Sequence, residues 1–151
     1  MCFDFYYRWK YGITPPKIMN EMSSDSIYKK IKEELTQKPL LLKLYDTKYK
    51  STTIDEIDRF LTWSFVDKNL YIPEFFDCDN FAIGLFGEIR NKPKWSALPF
   101  GLCSVDRQDG TAHAVNIFID LNYEMWYIEP QNDKIYKIEE KKEWKPYFIL
   151  I

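Results

Sequence analysis

The stretch Asp77-Cys78-Asp79-Asn80-Phe81-Ala82 constrains this chain most, because it opens a helix whose inner side must be covered. Asp77 suits the N-cap, where a short carboxylate accepts from the first unpaired N–H groups. Phe81, Ala82, Leu85, Phe86 and Ile89 then form one continuous apolar stripe. Asn91-Lys92-Pro93 stops the helix near Arg90. A helix of this length takes its stability from packing that stripe on another layer.

The residues that follow supply the layer. Segments 100–105 and 111–119 read as strands around Arg107-Gln108-Asp109-Gly110, a hairpin signal ending in Asp-Gly. Segments 125–128, 134–139 and 147–151 read as three more strands. Helices come first and strands second, so the expected class is α+β, with the Cys-bearing helix packed on an antiparallel sheet.

Upstream, residues 1–22 are aromatic and irregular, and Pro15-Pro16 forbids a helix across that point. They read as an extension laid over the body of the domain, or as a partner-binding arm. Ser24 or Asp25 can cap a helix to about Gln37, with Ile27, Ile31 and Leu35 on its inner face. Residues 40–45 are a short strand or the approach to the next helix. Thr53 with Glu56 matches a capping box, opening a helix of about ten residues with Ile54, Ile57, Phe60 and Leu61 inward and Phe65 as a further candidate for that face. Residues 67–77, with Pro73, connect it to the Cys helix.

A chain of 151 residues suits a single domain, and 46% hydrophobic content is too apolar for disorder. The net charge of −2 gives no general attraction to nucleic acid or anionic membranes. No apolar run approaches the ~20 residues of a membrane span, and the charged N-terminus does not read as a secretory signal. Three scattered cysteines (2, 78 and 103) fit a reducing compartment, so a cytoplasmic location is expected.

Cys78, the only histidine, His113, and Glu129 follow in the order of a nucleophile, its general base and the group that orients the base. A helix start favours thiolate, although Asp77 and Asp79 beside the sulfur oppose it. His113 shares a strand face with Val115 and Ile117, a face suited to packing against a helix. A three-residue turn at Asp120-Leu121-Asn122, with Asn122 left-handed, would set His113 opposite Glu129. Asn116 is the runner-up orienter on the opposite face, and Gln131 can either donate to an oxyanion or hold its turn. Asn80 and Asp79 are supporting candidates. Zinc held by Cys78, Cys103 and His113 lacks the paired spacing such sites show, so neither metal nor cofactor is expected.

The Asp77–Ala82 segment resembles the "DC-D/E-D/N-F/Y-A" motif of bacterial and phage members of the transglutaminase-like branch of papain-like cysteine hydrolases. His113-Ala114-Val115-Asn116 and Glu129-Pro130-Gln131 are similar to that family's downstream blocks, and the match spans residues 70–135. The resemblance implies a papain-like core and thioester chemistry on peptide-like amides. In it Cys78 would be nucleophile, His113 base and Glu129 orienter, with a peptide or protein amide as substrate. The alternative is a catalytically inactive module of the same fold, viral or otherwise, used for binding or assembly.

Overall fold

The computed structural model describes residues 2–35 and 37–151, with side chains from residue 5 onward. The side chain of Cys2, expected to be incidental, lies outside the described residues. The chain forms α1 (Cys2–Tyr11), β1 (Asn20–Ser23), α2 (Ser24–Glu34), β2 (Leu41–Lys43), β3 (Lys48–Ser51) and α3 (Ile54–Trp63). Then come α4 (Cys78–Arg90), β4 (Phe100–Asp106), β5 (Ala112–Ile119), β6 (Met125–Glu129), β7 (Lys134–Lys137) and β8 (Lys145–Leu150).

The expected antiparallel sheet is corrected to a mixed one. Six strands run in the order β2-β8-β4-β5-β6-β7, and β2 lies parallel to β8. A separate two-stranded sheet pairs β1 with β3. The first half of the chain therefore supplies an edge strand of the main sheet, which helical periodicity upstream did not disclose.

The central strands are buried on both faces, so the sheet separates two cores. On one side α4 sends Phe81, Leu85 and Ile89 against Phe100, Phe118 and Ile128, with α3 and Trp95 behind. On the other, Ile27 and Ile31 of α2 meet Cys103, Val105, Val115, Ile117 and Ile149. Each fully buried aliphatic side chain contributes about 1.5–3 kcal/mol. Asn116 joins α4 to the sheet: its Nδ2 donates to the carbonyls of Ala82 (2.9 Å) and Gly101 (3.2 Å).

Residues 1–22 are less irregular than their composition predicts, since α1 occupies most of the first half. Tyr7 is buried, and its hydroxyl donates to the Pro93 carbonyl. Ser23, not Ser24 or Asp25, caps α2 by accepting from the Ser26 N–H at 3.1 Å. The capping box at Thr53 does not form, because Glu56 turns to Arg59 instead, at 2.5 Å.

The β5–β6 turn also differs from expectation. Ile119 pairs with Met125, leaving five loop residues rather than three. Asp120 holds this longer loop. Its Oδ1 accepts from the N–H groups of Asn122 (2.8 Å) and Glu124 (2.9 Å), and its Oδ2 accepts from Trp126 Nε1 at 3.2 Å. The left-handed residue is Tyr123, with φ 63°, not Asn122.

Gly101 marks the tightest packing in the sheet. A Cβ there would stand 2.1 Å from the Leu150 carbonyl oxygen, which is backbone and cannot swing aside. Gly101→Ala should therefore destabilise the protein by about 1–3 kcal/mol or more in urea unfolding. Gly87, on α4 with nothing within 4 Å of the added carbon, should gain about 0.5–1 kcal/mol as alanine.

Candidate functional site

His113 and Glu129 come together. Their Nε2 and Oε2 atoms lie 2.6 Å apart, with both residues buried. The register responsible is two positions away from the one expected. Asn116 pairs with Ile128, and continuing that ladder sets Glu129 beside Val115. A slip of two keeps the pleat parity, so His113 and Glu129 share a face and meet diagonally. Glu129 Oε1 also accepts from the Gln131 N–H at 3.4 Å. Gln131 thus enters through its backbone, holding the turn.

Cys78, the residue expected to act with them, opens α4. Ala114, Asn116 and Phe118 point toward α4, as the Asn116 bond to Ala82 and the Phe118 packing show. His113, Val115 and Ile117 point the other way, and Val105, directly across from His113, belongs to the α2-side core. Cys78 stands half-buried at the start of α4, and its thiol makes no hydrogen bond among the described residues. His113 and Glu129 are bonded to each other, and Cys78 is bonded to neither.

The residues around Cys78 are occupied with one another. Asn80 Oδ1 accepts from the Asp77 N–H at 3.1 Å, and Asp79 Oδ1 accepts from the Asn80 N–H at 3.0 Å. A hydrogen bond with Asp77 and partial burial push the Asp79 carboxyl above its ordinary range. These are helix-start contacts. Cys103 lies on the α2 side, where burial raises its thiol far above the usual value. Among the described residues no three His, Cys, Asp or Glu side chains are grouped to hold a metal ion.

What the sequence did not disclose is the aromatic wall beside His113. The Trp144 ring stands edge-on to the imidazole, with centroids 5.7 Å apart, and packs on Tyr127 and Tyr136. Lys141 Nζ lies 5.1 Å from the Trp144 ring centroid. Next to this wall a cleft of about 250 Å³ opens between the end of α2 and the 3-10 turn Ile138–Lys141. Glu34, Glu139, Lys141 and Lys142 rim it, over a floor of Tyr127 and Trp144. Residues 140–146 carry no periodic signal, and nothing in their sequence announces that their backbone folds over an aromatic floor.

No family model matches the chain, and no curated protein matches it. Solved structures do. A PSL1a-E64 complex is similar at 25% identity with a TM-score of 0.74, over 87% of this chain and 51% of that one. Polyporus squamosus lectin, bound to the human-type influenza-binding epitope Neu5Acα2-6Galβ1-4GlcNAc, is similar at 25% identity with a TM-score of 0.70. That match covers 87% of this chain and 49% of the lectin. The chain thus spans about half the length of the structures it resembles. These neighbours overturn the expected kinship with transglutaminase-like and papain-like hydrolases. With it goes the expected fold family. The expected hydrolase or acyltransferase activity and peptide-amide substrate are not what these descriptions name, and each description belongs to a protein about twice the length of this chain.

Beyond Glu129, the β6–β7 turn carries a second electrostatic feature. Asp133 sits in the left-handed region with φ 57°. Burial, then the neighbouring carboxylate of Asp67, raise its carboxyl to about 6, with Asp58 adding and Lys68 opposing. Asp67 is itself paired with Lys68, while its Oδ1 is buried without a partner among the described residues. A carboxyl raised above its unfolded value stabilises the fold when protonated, and that contribution is lost as pH rises through the folded value. Asp133→Asn should therefore melt higher than the parent at pH 8, with the difference shrinking toward pH 4. An equal shift at both pH values would reflect only asparagine's tolerance of the left-handed backbone.

Proposed function

We propose that the chain is a non-catalytic binding module of a lectin-like protein, with carbohydrate as its ligand class. One observation carries this reading: the likeness to a sugar-bound lectin structure over 87% of the chain.

The cleft beside Trp144 is the ligand site in this reading. Sugars are held by an apolar ring face together with polar groups that pair with hydroxyls. Tyr127 and Trp144 supply the apolar floor, and Glu34, Glu139 and Lys141 supply the pairing groups. Lys141 and Lys142 add positive charge at the rim, suited to an acidic sugar. The buried His113–Glu129 pair then serves as a rigid support behind Trp144. Removing one partner leaves the other unsatisfied.

A glycan array tests this. Binding should centre on acidic glycans such as Neu5Acα2-6Galβ1-4GlcNAc, survive Cys78→Ala unchanged, and weaken about tenfold in Lys141→Ala through the loss of a charge-assisted hydrogen bond. Silence across the array from a folded protein would overturn the glycan assignment. Glu129→Gln should lower stability by about 1–3 kcal/mol in thermal or urea melts, because the buried imidazole loses its charged partner.

A second reading, an assembly module, is favoured by the exposed side chains of Phe5, Trp9, Leu70 and Phe75. It predicts concentration-dependent association in sedimentation, abolished by Phe5→Ser with Trp9→Ser.

A further inference from the structure

The two edges of the six-stranded sheet are built differently. At one edge β7 is guarded: Lys134 and Lys137 flank it, and Lys137 is tied to Glu124. Lysines on an edge discourage pairing with another chain. At the other edge β2 presents Pro39-Leu40-Leu41-Leu42-Lys43-Leu44-Tyr45, with Leu40 89%, Leu41 49% and Tyr45 66% exposed.

The outward main-chain groups of this edge are open. The Lys43 carbonyl accepts from the Ile151 N–H at 2.9 Å, and the Ile151 carbonyl accepts from the Tyr45 N–H at 2.8 Å. Residues 43 and 45 thus turn their polar groups toward β8. In a parallel ladder the alternate residues face the other way, so Leu42 and Leu44 direct their N–H and C=O groups outward. Among the described residues no strand lies beyond β2 in the sheet.

A groove of about 230 Å³ runs beside this edge, lined by Tyr28, Lys32, Lys38, Leu40, Leu41 and Leu42. Lys29 and Lys30 of α2 are matched by Glu33 and Glu34. Lys32, Lys38 and Lys43 form no ion pair among the described residues; Lys32 lies over the Tyr28 ring and Lys43 over Tyr45. The groove is therefore apolar at its base and positive at its rim.

We propose that β2 is a docking edge for an extended segment of a partner protein, apolar at alternate positions and acidic between them. The partner's main chain continues the ladder at Leu42 and Leu44, its apolar side chains enter the groove, and its carboxylates meet Lys32 and Lys38 at the rim. A second copy fits less well, because it would bring its own unmatched Lys32 and Lys38 to the same groove. The inference goes beyond the glycan reading and uses none of the residues of the Trp144 cleft.

Fluorescence anisotropy with a labelled peptide of alternating Glu and Val tests it, with an alternating Lys and Val peptide as control. The acidic peptide should bind saturably and the basic one should not. Leu42→Pro removes an N–H that β8 does not use, and should weaken binding about tenfold, the loss of one or two main-chain hydrogen bonds. If that variant fails to fold, Lys32→Glu combined with Lys38→Glu decides, by reversing the preference toward the basic peptide. Lys141→Ala should leave peptide binding unchanged, so this proposal and the glycan reading fail separately. Absence of saturable binding, or affinity unaltered in the double lysine variant, would overturn the proposal. So would a wild-type dimer in sedimentation that Leu42→Pro splits, since the edge would then belong to a second copy.

Discussion

Everything in this molecule depends on β4 and β5 being buried on both faces. Side chains leave a strand alternately to either side, and here both sides are cores. The sheet is a partition as well as a scaffold. A slip of one residue in the β5–β6 pairing would exchange the faces of β6, driving Ile128 into the α2-side core and Tyr127 toward α4. A slip of two costs nothing in parity, so the Asp120 carboxylate is free to select the five-residue loop without disturbing either core.

The same parity explains what could and could not be read from the sequence. The apolar stripe of α4, its start at Cys78, and the strands near residues 100–119 are periodic signals, and the chain folds close to those limits. The parallel pairing of β2 with β8 leaves no such mark, because three residues carry no period and their partner lies about a hundred positions away. The His113–Glu129 pair was legible through spacing, although the turn thought to create it was wrong.

The Trp144 cleft was invisible for a different reason. Residues 134–145 mix lysines and glutamates with a few aromatics, a composition that suits an exposed turn as well as it suits a roof. The 3-10 turn after β7 folds the segment back, so that Trp144 meets Tyr127, Tyr136 and His113 from three strands and loops. The buried His113–Glu129 hydrogen bond behind the ring holds that wall in one arrangement, since either partner alone would be an unsatisfied polar group in a dry place.

The position of β8 carries a consequence for how the domain assembles. It follows every other strand in sequence, yet it lies inside the sheet, between β2 and β4. Until it is in place, β2 has no neighbour and β4 has one bare side. The contacts that finish the sheet join residues 41–43 to 148–150, among the most distant pairs the chain can make. Folding governed by such pairings is slow, because a large loop must close before the ladder repays it. On a ribosome the α4 side of the domain can take shape early, while the leucines of β2 wait for the strand that will seat them. That interval is when this chain is most exposed to aggregation and most dependent on chaperones.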